Sequence, residues 1–408
     1  MIVTKNPPNR HQVSVDPTSG AMVWAATTTD DWQGRNGTPL MNTTAARAIR
    51  LIATASILTL LAACATVEPE IPQGVLAAGD PAKPVVAAVE TVVTTDPTVD
   101  ADDPAFWADP RDPSRAVIFG TDKSDGLYVH ALDGTVRQFF PDGPMNNVDV
   151  RDGFVVDGKP MVLIAAAERD RFGIMTWLMD PQTLEVRRWG FIPTEMGEPY
   201  GFCMGRRGDA FYVIPNNKAG LIQQIRVTAG PTGPIGVVER SMQLGSQTEG
   251  CVVDDAADQL YVGEEDVGIW RFDFDPAAAG TPTQIHAIDR IRLTDDVEGL
   301  TIMRDGLEKY LIASSQGDST YPVWRVVGAG AAATYDYVGR FAIVDGQTAA
   351  GAAIDGVTHT DGLDAWSGPI GPWPEGALSF HDDADTPHKG QQNYKIVDWR
   401  AVKAALGL

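Results

Sequence analysis

Several acidic residues stand at the start of strand-like segments in a pattern that repeats along the chain. Glu249 and Glu298 each precede a glycine and an apolar run, and Glu265 lies in the loop of the hairpin that follows Glu249. Carboxylate oxygens are hard ligands that suit Ca²⁺. Carboxylates brought together also repel one another, and a bound cation relieves that repulsion. The pattern therefore predicts a site for several calcium ions.

Basic residues occupy the loops of equivalent hairpins. Lys123, Arg169 and Lys218 each follow a strand-like run. Ammonium and guanidinium groups beside carboxylates suit an anionic, oxygen-rich ligand, above all phosphate. Carboxylate-bound metal with basic side chains is typical of phosphoryl transfer to water. The six histidines form no HExxH motif or other close ligand pattern, which disfavours zinc or iron.

The elements that must position these residues form a sixfold repeat. Each unit reads as a polar opening, a strand, a polar loop and a second strand, and recurs after about 50 residues. Alternating apolar residues such as Leu260 and Val262 predict strands, and loops containing glycine predict hairpins. Six such units predict an all-β, six-bladed β-propeller, whereas a double β-sandwich does not explain the repeat.

Equivalent positions of the blades should converge on one mouth of the propeller. The openings are Asp103, Asp149, Tyr200, Glu249, Glu298 and Asp361, and the hairpin-loop residues are Lys123, Arg169, Lys218, Glu265 and Asp382. Any one of them taken alone is explained at least as well as a solvated turn residue. Their equivalent placement in the repeat is what favours a site.

The composition excludes some classes of protein. In 408 residues, Lys and Arg number 32 against 54 Asp and Glu, a net charge of -22. Nucleic-acid binding needs a basic surface, so we expect no nucleic-acid partner. Three cysteines without a CxxC motif argue against a disulfide framework or a zinc site. Cys203 and Cys251 follow blade openings and are either buried thiols or a bridge.

The N-terminal part carries an export pattern. From Met41, two arginines precede a short apolar run that ends in Leu61-Ala-Ala-Cys64. This ending resembles the lipobox of bacterial lipoproteins, in which the cysteine is lipidated. We expect residues 1–40 to be absent from the mature protein, 41–63 to be the signal peptide, 64–90 a tether and 91–408 the propeller. By resemblance to sorting patterns, Ala65 favours the outer membrane, at its periplasmic or cell-surface face.

Motifs spread over residues 100–399 carry a family resemblance. They include DDPAFW, NNVDVR, SQTEG, GEED and DGVTHTDGLD, in that order. In this combination the sequence resembles the β-propeller phytases. The resemblance implies a six-bladed propeller and the activity of a 3-phytase, a phosphoric monoester hydrolase. It also implies Ca²⁺-dependent hydrolysis of myo-inositol hexakisphosphate (phytate) to lower inositol phosphates by metal-activated water.

The resemblance further implies a role for individual residues. The catalytic positions are Glu249, Glu265, Glu298 and Asp361. The substrate-binding positions are Lys123, Arg169, Tyr200 and Lys218. The metal-binding positions are Asp102, Asp103, Glu249, Glu265, Asp296, Glu298, Asp355 and Asp361. Asn146, Asn147 and Asp149 belong to a family signature with a partly structural role. The chain departs from the family pattern at Ala167-Glu168 and at Asp152.

The excess of acidic over basic residues affects which form of the substrate can bind. A protein of this charge repels a bare polyphosphate, so we expect phytate to bind as its calcium complex. We also expect a monomer that contacts the membrane only through its lipid anchor. Two other functions stay open at this point: a calcium-dependent propeller lactonase or esterase, and a non-catalytic module that binds polyphosphate. Three basic residues at one mouth are more than a neutral lactone needs.

Overall fold

The computed structural model describes residues 79–92, 100–385 and 391–408. The expected signal peptide, Cys64 and the expected tether up to residue 78 lie outside these residues. Within the described residues the chain is almost entirely β-structure, with a single α-helix, α1 (Trp399–Leu406), at the C-terminal end. No helix among these residues has the length and apolar character needed to cross a membrane.

Within the described residues the strands form six blade sheets and one separate two-stranded sheet. Two short strands come first, β1 (Lys83–Val85) and β2 (Val89–Glu90). Blade 1 contains β3 (Ala101–Asp109), β4 (Asp112–Asp122), β5 (Gly126–His130) and β6 (Val136–Phe140). Blade 2 contains β7 (Met145–Val156), β8 (Lys159–Glu168), β9 (Gly173–Met179) and β10 (Val186–Pro193). Blade 3 contains β11 (Phe202–Arg207), β12 (Ala210–Pro215), β13 (Leu221–Gly230) and β14 (Gly233–Gln243).

The remaining blades follow the same order from the inner strand outward. Blade 4 contains β15 (Thr248–Asp254), β16 (Gln259–Glu264), β17 (Gly268–Asp273) and β18 (Thr283–Ala287). Blade 5 contains β19 (Val297–Asp305), β20 (Glu308–Ser315), β21 (Tyr321–Val327) and β22 (Thr334–Ile343). A small hairpin of β23 (Gly346–Gln347) and β24 (Ala353–Ile354) leads to blade 6. Blade 6 contains β25 (Leu363–Ser367), β26 (Gly376–Asp382) and β27 (Asn393–Asp398).

The inner strands close into a ring. In the described part of the chain, β3, β7, β11, β15, β19 and β25 each contact the next, and β25 contacts β3. Apolar side chains fill the space between neighbouring blades; Trp107 and Trp177, for example, belong to one buried cluster shared by blades 1 and 2. The six-bladed β-propeller predicted from the repeat is confirmed.

A glycine after the blade opening lets neighbouring inner strands approach closely. A Cβ on Gly250 would lie 2.1 Å from the backbone oxygen of Glu298 in the next blade. A Cβ on Gly362 would lie 2.6 Å from the Cα of Asp103. Side chains at these positions would force the blades apart, because backbone atoms cannot yield as a flexible side chain can. The acidic residue before each glycine is thereby held at the rim of the ring.

The N-terminal strands lie within the segment expected to be a tether. β2 pairs antiparallel with β27 and is the outermost strand of blade 6, while β1 pairs parallel with β22 at the edge of blade 5. The propeller therefore includes residues from Lys83 onward. Two- and three-residue strands carry no readable alternation, and the backbone of distant blades supplies their hydrogen bonds.

The two cysteines left open by the sequence form a disulfide. Cys203 on β11 and Cys251 on β15 are bonded, with their Cα atoms 5.5 Å apart. The bridge joins the inner strands of blades 3 and 4. It lies three residues after Tyr200 and two residues after Glu249, and it therefore links the two blade openings that carry these residues.

Candidate functional site

Three glutamates from two neighbouring blades meet at the rim. Glu249 is the second residue of β15, Glu298 is the second residue of β19, and Glu265 follows β16 in the hairpin to β17. One carboxylate oxygen of each lies within 4.8 Å of those of the other two, and all three residues are buried. We call these three residues the glutamate cluster.

The backbone around Glu265 holds its loop between two blades. The Glu265 N–H donates to the carbonyl oxygen of Gln247 at 3.1 Å, and the Val297 N–H donates to the carbonyl oxygen of Glu265 at 3.0 Å. Hydrogen bonds on both sides of one residue leave little freedom for its peptide units. The Glu265 side chain therefore points at Glu249 and Glu298 from a fixed backbone.

The electrostatics of the glutamate cluster favour a bound cation. Burial, with the charge of Asp102 second, raises the pKa of Glu249 to about 8. Burial also raises the pKa of Glu265 to about 7, and burial plus the Glu249 charge raises the pKa of Glu298 well above its usual value. Among the described residues, Glu265 Oε1 and Glu298 Oε2 accept no hydrogen bond. Buried carboxylate oxygens without donors fit a hard divalent cation such as Ca²⁺.

A second group of charges adjoins the glutamate cluster. Lys123 Nζ lies 2.6 Å from Asp361 Oδ2 and 3.2 Å from Asp102 Oδ1. Burial raises the pKa of Asp102 to about 6, although the Lys123 charge opposes the rise. Asp361 also accepts a hydrogen bond from the Gln316 side chain, and its own N–H donates to His381 Nδ1 at 3.1 Å. Asp361 is therefore oriented from several sides.

Tyr200 joins the basic side chains to the glutamate cluster. Lys218 Nζ lies 4.2 Å from the centre of the Tyr200 ring, and the Arg169 guanidinium carbon lies 5.7 Å from it. Burial and then the charges of the three glutamates raise the pKa of the Tyr200 hydroxyl. The positive charge of Lys218 opposes the rise in the pKa of Glu265 that burial causes. The structure thus brings the four expected substrate-binding residues next to the acidic ones.

An open pocket lies beside these residues. Its volume is about 410 Å³, and Lys123 and Arg169 contribute its basic groups. Asp170 and Glu198 contribute acidic groups to the same wall. A pocket of this kind can receive an anionic group beside Lys123 and Arg169.

Two of the expected rim residues lie deeper in the channel. Asp103 Oδ2 accepts the Val148 N–H at 2.9 Å, and Asp149 Oδ2 accepts the Met204 N–H at 2.8 Å. Each carboxylate thus accepts a backbone hydrogen bond from within the inner strand of the next blade. Successive side chains of a strand point to opposite faces, so Asp102 reaches Lys123 at the rim while Asp103 turns away. Asp103 and Asp149 therefore do not join the glutamate cluster.

Two other expected residues lie in a second acidic group. Asp355 and Asp382 lie 2.5 Å and 3.1 Å from Nζ of Lys395, a fully buried lysine. Glu90 and Asp385 complete this group at 2.8 Å and 3.4 Å from the same nitrogen. Asp355 was expected at the cleavage site and Asp382 at the same mouth. The structure places both around an ammonium group of blade 6.

Asp296 lies at the edge of the glutamate cluster. Its charge raises the pKa of Glu265, and the pKa of Asp296 itself is raised by burial and by Asp266. The residue is only partly buried, which suits a ligand that closes a site toward solvent. The expected metal-binding residue is thus beside the three glutamates.

Polar residues outside the predicted catalytic, substrate-binding and metal-binding sets complete the site. Asn146 Nδ2 donates to Glu249 Oε1 at 2.7 Å. Gln316 and His381 hold Asp361 as described above. Asn146 belongs to the NNVDVR motif, so its motif was a usable signal. Gln316 and His381 carried no such signal. Gln316 reaches Asp361 from blade 5, and the contact of His381 depends on the register of β26 beside β25 in blade 6.

Comparisons with known proteins assign the chain to a family. The sequence matches the phytase family over residues 48–408. It is 33% identical over 320 residues to a 3-phytase of Bacillus subtilis (strain 168), covering 75% of this chain and 81% of that protein.

Two solved structures are more distant. A protein of unknown function from Bacteroides caccae is 12% identical, covers 58% of this chain and 82% of its own, and gives a TM-score of 0.37. The β-propeller domain of Cps50 (Swd1) from Myceliophteria thermophila is 12% identical, covers 72% and 82%, and gives 0.40. The family match and the B. subtilis relative are what assign the chain: it belongs to the phytase family and is a phosphoric monoester hydrolase.

Proposed function

We propose that this phytase hydrolyses the phosphomonoesters of myo-inositol hexakisphosphate in a calcium-dependent reaction, as a 3-phytase, and releases phosphate and lower inositol phosphates. The observation that carries the calcium dependence is the glutamate cluster. Its three carboxylates are buried within 4.8 Å of one another, and oxygens of Glu265 and Glu298 accept no hydrogen bond among the described residues.

The residues that would hold Ca²⁺ are Glu249, Glu265 and Glu298, with Asp296 at their edge. When bound, calcium supplies charge stabilisation at phosphoryl oxygens and lowers the pKa of bound water. Asn146 keeps one oxygen of Glu249 directed by a hydrogen bond, which limits the ways that this carboxylate can turn.

The basic residues bind and orient the anionic substrate. Arg169 and Lys218 flank Tyr200 and can donate to phosphate oxygens at the edge of the glutamate cluster. Lys123 holds Asp361 by an ion pair at 2.6 Å, so that this carboxylate stays ordered next to the reacting group. The Tyr200 hydroxyl stays protonated because burial and the nearby glutamates disfavour its charge, and it can donate a hydrogen bond.

The substrate is proposed to enter as its calcium complex. The chain carries a net charge of -22, and the pocket beside the glutamate cluster contains acidic as well as basic groups. A bare polyphosphate is repelled by such a surface, and cations that neutralise its charge remove the repulsion. The protein is proposed to act as a monomer.

The protein is also proposed to be an exported lipoprotein of the outer membrane, anchored through Cys64. The Leu61-Ala-Ala-Cys64 sequence at the end of an apolar run supports this proposal. The Cys203–Cys251 disulfide supports it as well, because disulfides persist mainly in oxidising compartments outside the cytosol.

Removal of calcium tests the proposed function. Phosphate release from phytate by the purified protein should fall by roughly 10²-fold or more in excess EGTA and return on addition of Ca²⁺. Calcium should also raise the melting temperature, because it binds the folded rim and not the unfolded chain. Magnesium at the same concentration is the control, since it prefers a stricter octahedral site. Full activity in excess chelator contradicts the calcium dependence.

A further inference from the structure

We propose that Glu198 is a specificity-determining residue: its carboxylate pairs with Arg169 and makes the pocket discriminate against anionic substrates that carry no bound cation. This inference rests on the proposed function, since it concerns how the same site distinguishes free phytate from its calcium complex. It assigns to Glu198 no part in cleavage.

Glu198 lies at the pocket, close to the substrate-binding residues. The residue lies in the loop between β10 and β11, two residues before Tyr200. Its Oε1 accepts from Arg169 Nε at 2.8 Å, and the two side chains are 36% and 26% exposed. Both groups are therefore within reach of a ligand in the 410 Å³ pocket that they line.

Glu198 occupies only one side of the Arg169 guanidinium group and leaves the rest available for a ligand. The pair with Glu198 uses Nε, at the side of the guanidinium group. Among the described residues, neither terminal nitrogen of Arg169 donates a hydrogen bond. A planar guanidinium donates from these nitrogens as a fork that matches two oxygens of one phosphate. Glu198 thus leaves the phosphate-binding edge of Arg169 open while it fixes the group from the side.

The pocket carries basic and acidic groups in equal number. The basic groups are Lys123 and Arg169, and the acidic groups are Asp170 and Glu198. Lys123 is already paired with Asp361 and Asp102, so its charge is partly used. A bare polyanion that reaches Arg169 must approach the Glu198 carboxylate as well. A polyanion with bound cations presents positive charge to the Glu198 carboxylate, and this removes the repulsion.

Two substitutions separate the charge of Glu198 from its hydrogen bond with Arg169. Glu198→Gln removes the charge, and its amide oxygen can still accept from Arg169 Nε. Glu198→Ala removes both. Glu195 is the matched control, because it lies in the same loop, is exposed, and has no hydrogen bond or ion pair in the described part of the chain.

The test is binding of a non-hydrolysable polyanion without divalent cations. The probe is myo-inositol hexakissulfate, titrated calorimetrically into the full chain in excess EGTA. Glu198→Gln should bind it roughly five-fold or more tightly than the wild type, because one repulsive charge near the ligand is gone. Glu198→Ala should gain less, because Arg169 loses its support. Glu195→Gln should stay within about 1.5-fold of the wild type.

Steady-state kinetics give a second, independent measurement. Glu198→Gln should lower KM for phytate more at limiting calcium than at saturating calcium, because the lost negative charge matters most for substrate that carries few bound cations. An unchanged dissociation constant for the sulfate probe in Glu198→Gln overturns the inference. An equal gain in Glu195→Gln also overturns it, since the effect is then one of overall charge. If phosphate release proves independent of calcium, the proposed function fails, while the cation-free binding experiment still decides the role of Glu198.

Discussion

Glu265 combines a hydrogen-bonded backbone with a side chain in the proposed metal site. Its peptide N–H and carbonyl are both hydrogen-bonded, to Gln247 and Val297, and its Oε1 accepts no hydrogen bond among the described residues. A buried carboxylate on a fixed backbone with a free oxygen is costly for the free energy of folding, and such a cost is typical of functional positions. The neighbouring Glu264 is equally buried, but Ser246 and Trp270 donate to both of its oxygens.

Glu265→Gln should therefore affect turnover more than folding. The substitution keeps the shape of the side chain and removes its charge. We expect kcat for phytate at saturating calcium to fall by roughly 10²-fold or more, equivalent to about 2.7 kcal/mol. Steady-state kinetics and thermal unfolding of the purified variant measure the two effects separately.

Glu264→Gln is the control for that experiment. It makes the same chemical change one residue earlier, at a carboxylate whose two oxygens accept hydrogen bonds from Ser246 and Trp270. We expect it to lower stability and to leave kcat close to that of the wild type. Near-wild-type kcat in Glu265→Gln would remove Glu265 from the catalytic residues and leave it as a buried turn residue.

At the scale of elements, the N-terminal strand β2 closes blade 6 through a buried ion group. Lys395 on β27 is fully buried, and its ammonium contacts Glu90 of β2 together with Asp355, Asp382 and Asp385. Glu90 and Lys395 are 305 residues apart in the chain. Burial raises the pKa of Asp382 to about 7, and the Lys395 charge opposes that rise. The ammonium thus serves as the counter-ion of the whole group.

Lys395→Met should destabilise the closure of the ring. Removal of one partner from a buried ion group leaves uncompensated charge, and we expect a loss of about 3–5 kcal/mol in the free energy of unfolding. Addition of Ca²⁺ should recover part of that loss, because Glu90, Asp355 and Asp385 present oxygens close enough to share one cation. Chemical denaturation with and without Ca²⁺ measures both.

Lys403→Met provides the comparison for Lys395. Lys403 on α1 pairs with Asp305 and Glu375 at a more exposed position, so its loss should cost no more than about 1 kcal/mol. If Lys395→Met costs as little as Lys403→Met, the ammonium group does not hold blade 6 together. The propeller edge would then depend on the backbone pairing of β2 with β27 alone.

At the scale of the whole molecule, the proposed site and the predicted export pattern belong to different parts of the chain. The blades carry the glutamate cluster and the pocket, while the sequence before residue 79 carries the export pattern. Because β1 and β2 are strands of blades 5 and 6, a soluble fragment should begin before Lys83. A fragment that begins at residue 91 would lack the outer strand of blade 6.

Cys64→Ser should release the protein from the membrane. Without the cysteine there is no thiol to lipidate, so the full chain expressed in a bacterial host should move from the membrane fraction to the soluble fraction. Its activity in solution should equal that of the detergent-extracted wild type, because the glutamate cluster and the basic side chains all belong to the blades. Fractionation followed by a phosphate-release assay measures both. Detergent-sensitive retention of Cys64→Ser on the membrane contradicts the lipid anchor.

The sequence alone was sufficient for the number of blades and for most of the residue types in the site. The repeat of openings and hairpins predicts six blades because each blade is a local meander, built from strands adjacent in the chain. The Glu-Gly openings at Glu249 and Glu298 and the loop residue Glu265 follow from the same periodicity. Glu249 and Glu298 lie together because equivalent positions of neighbouring blades meet on a closed ring, and the hairpin that follows β16 brings Glu265 to the same rim.

The tertiary structure decided what depends on distant strands or on a shift of one residue. Asp102 and Asp103 are adjacent in sequence, yet only Asp102 reaches Lys123, because side chains alternate across a strand. Lys123 and Asp361 are 238 residues apart, and their pairing exists only because blade 6 meets blade 1. Glu90 and Lys395 are 305 residues apart, and they meet because β2 completes blade 6. Local patterns encode a blade, but only the closed ring determines which blade edges face each other, and hence which charges share a site.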